Sequence, residues 1–327
     1  MKPVGLYFTE RFPIWKEIEY CKLAEEKGFH SVWQGQSRMA RDSIVPLTAI
    51  ATVTRRLKLG SGVIHTWTRN PAMIAVIFST LDEISRGRAL LGIGALWEPM
   101  ASKIGIERKT PLLAVREYVQ VLQRLFKMET VTFHGEHVNL TEIRLERSTN
   151  YIPVYVGATG FKMIELAGEV ADGVLLNYMV SPEYNKNAMK HLKEGARKAG
   201  RSLDAIDRPQ LVACSLNEDS QKAIDAARPM VTEYLGIEPH IMKMSGVGEN
   251  LVNEIRETLG GWPPKLGGLE KATAMVDDKT VQLLTASGTA DECLKKVQAY
   301  VDEGCTCPLL WPIRDNVKEL IEAFAQS

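Results

Sequence analysis

Two glycine-rich segments follow apolar stretches of this chain and could bring a ligand against the main chain. Residues 89–94 (ALLGIG) end on the glycine pair Gly92 and Gly94, and glycine leaves no side chain between the backbone and whatever lies beside it. A flat ligand or a phosphate could approach closely there. Residues 157–160 (GATG) follow an apolar strand and open a helix at Phe161, whose free N–H groups suit a phosphate. The alternative for this second segment is a tight strand-to-helix turn, and the sequence leaves both open.

The sequence also contains side chains that could donate a proton to a substrate. His65 stands alone at the end of an expected strand, where it is either a general acid or a polar residue held by hydrogen bonds. Glu10 and Glu98 are carboxyl groups near the ends of other expected strands. A carboxyl group with a raised pKa could deliver a proton near neutral pH.

Metal, nucleic-acid and membrane chemistry are not indicated. His134 and His137 have no second ligand pair at metal spacing and fall in an expected two-stranded surface excursion. Cys305 and Cys307 alternate on a strand, which favours small apolar core residues. The 40 basic and 40 acidic residues cancel, so no charge surplus favours nucleic acid or an anionic membrane. Five cysteines, no long apolar run and no signal-peptide pattern predict a cytoplasmic protein.

The elements that must position these groups form a repeating pattern. Helices that end on glycine lead into apolar strands at Gly28, Gly87, Gly173 and Gly304, as in parallel sheets. Eight strands are expected, near residues 4, 30, 58, 89, 154, 174, 210 and 306. Alternating strands and helices in that number predict an α/β fold, a (β/α)8 TIM barrel.

Some segments do not fit this repeat. They are predicted insertions at the C-terminal rim, where barrels bind ligands, and comprise residues 95–111, 128–150 and 236–280. No stretch has the composition of a linker, so residues 1–327 are predicted to form one domain.

Five runs, in order, resemble the bacterial luciferase-like superfamily. They are residues 59–72 (LGSGVIHTWTRNPA), 80–88 (TLDEISRGR), 91–94 (LGIG), 155–160 (YVGATG) and 167–173 (AGEVADG). The resemblance covers nearly the whole chain. It is strongest to the branch that uses the deazaflavin coenzyme F420, especially methylenetetrahydromethanopterin reductase. A luciferase-like barrel with a cofactor over its C-terminal rim is therefore implied.

The same resemblance implies a cofactor site. It places a non-prolyl cis peptide at Gly62–Val63, a phosphate loop at Thr159 and Gly160, and the deazaflavin ring against Gly94 and Ala95. The full set of cofactor-binding residues that it implies is Gly62, Val63, Gly94, Ala95, Gly157, Ala158, Thr159, Gly160 and Asn177.

Two departures from the family concern the proton donor. Many relatives carry an Asp-His pair where this chain has Gln36-Ser37, and the methylene-pterin reductases carry a glutamate where this chain has Tyr7. That glutamate is a candidate proton donor in those enzymes. The candidate catalytic residues here are Glu98, His65 and Tyr7, with a protonated His65 or a Glu98 of raised pKa delivering the proton. A phenol at Tyr7 can still donate a hydrogen bond.

The function that the resemblance implies is hydride transfer between F420 and a small organic substrate. One candidate substrate is 5,10-methylenetetrahydromethanopterin or a related pterin. A first alternative is an FMN-dependent luciferase-like monooxygenase or flavin reductase, and a second is a cofactor-binding protein without turnover. Relatives also imply a homodimer or homotetramer.

Overall fold

The computed structural model describes residues 3–36 and 39–325. Its strands are β1 (Gly5–Phe8), β2 (Ser31–Gln34), β3 (Lys58–Ser61), β4 (Ile64–His65), β5 (Ala89–Gly94), β6 (Val131–His134), β7 (Asn139–Ile143), β8 (Val154–Ala158), β9 (Gly173–Leu176), β10 (Pro209–Leu216), β11 (Ala286–Gly288) and β12 (Cys307–Pro312). Its helices are α1 (Ile14–Glu26), α2 (Ile44–Val53), α3 (Pro71–Ser85), α4 (Glu98–Lys103), α5 (Pro111–Phe126), α6 (Phe161–Val170), α7 (Pro182–Lys198), α8 (Ser220–Ile237), α9 (Pro239–Met244), α10 (Glu249–Leu259), α11 (Gly268–Thr273), α12 (Asp278–Leu284), α13 (Ala290–Asp302) and α14 (Val317–Ala323).

Eight parallel strands close into a barrel. The sheet order is β11-β10-β12-β1-β2-β3-β5-β8-β9, with β4 paired to β5 and β9 paired back to β10. The eight barrel strands are therefore β1, β2, β3, β5, β8, β9, β10 and β12, and β11 adds to β10. These are the eight strands that the sequence pattern predicted, and the (β/α)8 prediction is confirmed.

The chain divides into two compact units, which are described separately. The larger unit comprises Gly5–Leu176 and His191–Pro209, and the smaller comprises Asn177–Lys190 and the chain from Gln210 onward, with the residues up to Val4. The single domain expected over residues 1–327 stays a prediction.

Aromatic rings fill the inner side of the larger unit's strands, and glycines make room for them. Trp33 on β2 meets Tyr155 on β8 edge to face, with 5.1 Å between ring centroids. A Cβ atom at Gly60 would overlap the Trp33 ring, and one at Gly173 would overlap the Tyr155 ring. Tyr7 is the register partner of Trp33 on the neighbouring strand, so its side chain points to the same face.

The helix ends of the larger unit follow the sequence signals with one correction. Gly28 and Gly87 have positive φ angles of 78° and 84° and end α1 and α3 as predicted. Asn70 caps α3 by accepting a hydrogen bond from the N–H of Ala72 at 2.9 Å. Gly173 does not end a helix: α6 stops at Val170 and Gly173 is the first residue of β9. Glycine is needed there because of the Tyr155 ring, not because of a left-handed turn.

Two of the predicted insertions lie in the larger unit. Residues 95–110 leave the C-terminal end of β5 and contain α4. The expected two-stranded excursion is confirmed, since β6 and β7 pair antiparallel. The turn between these strands reaches the loops that follow β4 and β5: His137 meets the Trp67 ring at 6.0 Å between centroids, and Thr110 Oγ1 lies 2.6 Å from His137 Nε2.

The smaller unit carries β10, β11, β12 and the third insertion. Residues 236–280 hold α9, α10 and α11, so this excursion is helical. Side chains cap the helices: Asp219 accepts from the first turn of α8, Asp277 from that of α12, and Thr289 forms a reciprocal capping box with Glu292 at α13. Cys305 and Cys307 are buried and not in disulfides, as expected for small core residues.

Candidate functional site

The candidate site begins where the third barrel strand is interrupted. β3 ends at Ser61 and β4 starts at Ile64, and the Gly62–Val63 peptide between them is cis, as the resemblance implied. Ser61 fixes the break to β5: its hydroxyl donates to the Gly92 carbonyl at 2.8 Å and accepts from the Gly92 N–H at 2.9 Å.

The Val63 side chain occupies the space that three glycines leave free. A Cβ atom at Gly94 would lie 2.8 Å from Val63 Cγ2, one at Gly157 would lie 2.7 Å from Val63 Cγ1, and one at Gly92 would lie 3.2 Å from Val63 Cγ1. An added Cβ at Gly92 would also overlap the Ser61 carbonyl oxygen. The expectation that Gly92 and Gly94 leave the main chain open to a ligand is therefore corrected. On the side where a Cβ atom would stand, both glycines face the bulge of the third strand.

Tyr7 contacts this bulge at Gly62. Its hydroxyl donates a hydrogen bond to the Gly62 carbonyl oxygen at 2.9 Å, and the residue is only 5% exposed. A Cβ at Gly35 would overlap the Tyr7 hydroxyl, and a Cβ at Gly62 would lie 3.0 Å from the ring. The phenol thus fits a gap that glycines on two neighbouring strands create.

His65 stands at the end of β4, level with Gly94 on β5. Burial, with the nearby Arg69 cation, lowers the pKa of His65 to about 4. The imidazole is neutral at neutral pH, so the expected protonated His65 is corrected. Arg69 holds the loop beyond it, donating to Gln36 Oε1 at 2.8 Å and pairing with Asp42. Ser37, the other half of the Gln36-Ser37 departure, lies outside the described residues.

Glu98 and Ala95 lie in the segment that leaves β5. Ala95 is half-buried directly after Gly94, and Glu98 is the first residue of α4. The Glu98 carboxylate is exposed, accepts from the Ser102 hydroxyl at 2.8 Å and pairs with Arg108 at 3.3 Å. A neighbouring cation therefore holds this carboxylate at the surface.

The segment from Gly157 to Gly160 joins β8 to α6. Gly160 is the cap residue of α6 and has no side chain to accept the first N–H groups of the helix. An added Cβ at Gly160 would meet nothing within 4 Å among the residues that the structure describes, while Ala158 is buried and Thr159 half-buried. An anionic group can approach this helix end, which suits a phosphate.

Asn177 belongs to the smaller unit and follows β9 directly. Its side-chain amide donates to the Tyr234 hydroxyl at 2.6 Å, and its carbonyl accepts from the Gln210 amide. Tyr178 continues this group by packing on Tyr234 and on Trp311, at centroid distances of 5.1 and 4.5 Å.

Two buried carboxylates that organise the larger unit escaped the sequence analysis. Glu117 accepts from the N–H groups of three successive residues in the β6–β7 turn, at 2.8 to 2.9 Å. Glu17 pairs with Arg41 at 2.6 Å and accepts from Gln34 at 2.7 Å. Burial raises the pKa of Glu17 to about 7. Neither belongs to a motif, and helical periodicity gives only their faces, so no sequence signal marked them.

The comparisons with known proteins assign the family. A family model described as luciferase-like monooxygenase matches residues 5–307. The chain belongs to the luciferase-like family. It is 34% identical over 309 residues to 5,10-methylenetetrahydromethanopterin reductase of Archaeoglobus fulgidus, covering 92% of this chain and 91% of that one.

Further luciferase-like relatives have the same coenzyme in their names. An F420-dependent glucose-6-phosphate dehydrogenase of Kineococcus radiotolerans is 31% identical over 67% of this chain and 69% of its own. The solved structure of the coenzyme F420-dependent tetrahydromethanopterin reductase from Methanopyrus kandleri superposes with a TM-score of 0.89 at 27% identity, covering 99% of this chain and 97% of that one.

Across residues 3–36 and 39–325, no group of three or more His, Cys, Asp or Glu side chains could hold a metal ion. In the same ranges, no helix combines the length and apolar character needed to cross a bilayer.

Proposed function

We propose that this protein is a coenzyme F420-dependent oxidoreductase that transfers a hydride between the deazaflavin and a small organic substrate. The observation that carries the proposal is the 34% identity to a methylenetetrahydromethanopterin reductase over more than nine-tenths of both chains. F420 is also named for the glucose-6-phosphate dehydrogenases and for the superposed reductase structure.

The larger unit has features that fit such a cofactor. The open N-terminus of α6 at Gly160 suits the phosphate, and Val63, seated on Gly94 and Gly157, offers an apolar surface to a flat ring. Ala95 borders that surface. When bound, the deazaflavin accepts or supplies the hydride, and the protein orients it and excludes water. The further residues of this unit assigned to the cofactor are Gly62, Ala158 and Thr159. The family resemblance assigns Asn177 as well.

Glu98 is the proton donor in this proposal. Glu98 begins α4 in the segment that leaves β5, whereas burial lowers the pKa of His65 to about 4, so His65 holds a neutral ring at neutral pH. A pterin of the methylenetetrahydromethanopterin kind is the first substrate to test, because the relatives that are 34% and 32% identical are named for it. Glu98→Gln should lower kcat while leaving F420 binding unchanged, with His65→Asn as the comparison.

The test is F420 binding to matched variants. Gly160→Asp places a carboxylate at the α6 cap, where it repels a phosphate, and should weaken F420 binding at least tenfold. Gly248→Asp is the control: Gly248 caps α10 and its added Cβ likewise meets no described atom within 4 Å. It should leave binding unchanged. Equal F420 binding by Gly160→Asp and the unaltered protein would show that the phosphate does not lie at this helix end.

An FMN-dependent monooxygenase or flavin reductase is the second candidate, favoured by the family model's description. Purified protein distinguishes the two: retained yellow FMN with oxygen consumption supports the alternative, and F420 binding without FMN supports the proposal. F420 binding with no turnover across pterins, alcohols and sugar phosphates would support a binding protein.

We also propose a homodimer, with a second copy covering the face of α2 and α3. Val45, Met73 and Val76 on this face are 65%, 55% and 46% exposed. α2 has no charged residue and α3 has none before Asp82, so two copies meet without like-charge repulsion. Val45→Glu with Met73→Glu should give a monomer in light scattering, and Ile143→Glu, an exposed control on β7, should not. The five cysteines are buried and none forms a disulfide, which supports a cytoplasmic location.

A further inference from the structure

Tyr7 is tied to the main chain of the third strand rather than exposed to a ligand. It lies on β1 with its side chain on the inner face of the strands, and 5% of the residue is exposed. Its hydroxyl donates to the Gly62 carbonyl oxygen at 2.9 Å. A phenol carries a single proton, so the proton engaged at Gly62 is the only one that Tyr7 could give.

Gly62 is held from both sides by this arrangement. Its N–H donates to the carbonyl of Gln34 on β2 at 2.8 Å, and its own carbonyl accepts from Tyr7 on β1. These two bonds fix the peptide planes on either side of the Gly62 Cα atom, and the second of these planes leads into Val63. The Val63 methyl groups then lie against Gly94 and Gly157. The orientation of the Gly62 carbonyl therefore decides where the apolar Val63 surface stands.

The space around the phenol is matched to it. A Cβ atom at Gly35 would overlap the Tyr7 hydroxyl and would lie 3.0 Å from the ring carbon that carries it. A Cβ at Gly62 would lie 3.0 Å from another ring carbon. Glycine at both positions is explained by the ring and hydroxyl of this one side chain.

The geometry points to Tyr7 as a positioning residue, which locks the Gly62 carbonyl and thereby sets the Val63 surface for the cofactor, and not as a proton donor. This inference rests on the proposed function for its binding readout. Tyr7→Phe should keep the ring packing and remove the hydroxyl that donates to Gly62, which leaves a buried carbonyl without that donor.

Three measurements on Tyr7→Phe test the inference. Fluorescence titration with F420 should give a dissociation constant raised about five- to tenfold. Hydrogen exchange of the free protein should show faster exchange in residues 62–70. The pH profile of kcat should keep its shape. Tyr155→Phe is the matched control: it removes one hydroxyl hydrogen bond, to Asp207, from a residue of similar exposure, and should leave residues 62–70 unchanged.

A double mutant sharpens the test. Gly35→Ala should perturb residues 62–70 strongly with Tyr7 present, because the new methyl group overlaps the hydroxyl. It should perturb them less in Tyr7→Phe, where that oxygen is absent and a tight contact of 3.0 Å with the ring carbon remains. The inference is overturned if Tyr7→Phe lowers kcat more than a hundredfold and removes one limb of its pH profile while hydrogen exchange and F420 binding stay unchanged. If the unaltered protein does not bind F420, the proposed function fails, and hydrogen exchange still tests the positioning role.

Discussion

Gly157→Ala tests whether the glycines around Val63 are there for packing. The new Cβ would lie 2.7 Å from Val63 Cγ1 and 3.2 Å from Cγ2, against an ordinary contact of about 3.5 Å or more. Valine is branched at Cβ and has one stiff side-chain torsion. Its Cγ2 atom already faces Gly94 and its Cγ1 atom faces Gly92, so no rotation clears all three glycines at once. We expect the free energy of unfolding to fall by about 1–3 kcal/mol, the usual cost of overpacking.

The same substitution in a Val63→Ala background should cost little. Both Cγ atoms are then gone, and the distance from the new methyl group to Val63 Cβ is 3.6 Å, an ordinary contact. We expect a coupling energy of about 1–2 kcal/mol between the two positions, measured by urea unfolding of the four proteins of the cycle.

Gly160→Ala is the control, three residues further along the same segment. Its added methyl group meets no described atom within 4 Å, so the free energy of unfolding should fall by no more than about 0.5 kcal/mol. It could even rise slightly, because alanine restricts the unfolded chain more than glycine does. The reasoning is refuted if Gly157→Ala costs the same with and without the Val63 methyl groups, or if Gly160→Ala costs as much.

Three further predictions concern the larger unit. The pKa of Glu17 is raised from 4.5 to about 7, so the stability it contributes is full below about pH 4.5 and is lost as the pH rises through 7. Urea unfolding should show a fall of up to about 3 kcal/mol over that range, which Glu17→Gln lacks; equal slopes would contradict this. Gly195→Ala should cost more than about 3 kcal/mol in the same assay, because its Cβ would overlap the Glu165 carbonyl oxygen, and a neutral result would disprove that contact. Arg88→Met should cost about 3 kcal/mol or more, because the buried guanidinium donates to four main-chain carbonyl oxygens; a loss below 1 kcal/mol would count against it.

The barrel could be predicted because local signals repeat. A left-handed glycine after a helix and an apolar strand after the glycine are both readable from neighbouring residues, and Gly28, Gly87 and Gly304 all have positive φ angles. The cap at Asn70 is equally local. Eight alternating strand–helix units leave few arrangements other than a closed parallel sheet.

The electrostatic state of the site could not be predicted in the same way. His65 looked like a candidate acid from its place at a strand end, yet its pKa depends on burial and on Arg69, and burial is a property of the assembled fold. Glu117 and Glu17 bind partners that lie 17 to 24 residues away in the chain, through contacts that no spacing rule describes.

The glycines show which part of a close contact can be predicted from the sequence and which part requires the structure. A glycine in a strand indicates that something approaches closely, but not what approaches. At Gly173 the neighbour is an aromatic ring, at Gly94 and Gly157 it is the side chain of Val63, and at Gly160 the space is open. The ligand-binding role inferred from the sequence for residues 89–94 and 157–160 therefore divides in two. Gly94 and Gly157 leave room for the Val63 side chain, whereas the helix end at Gly160 is open and is where we propose that a ligand's phosphate approaches the main chain.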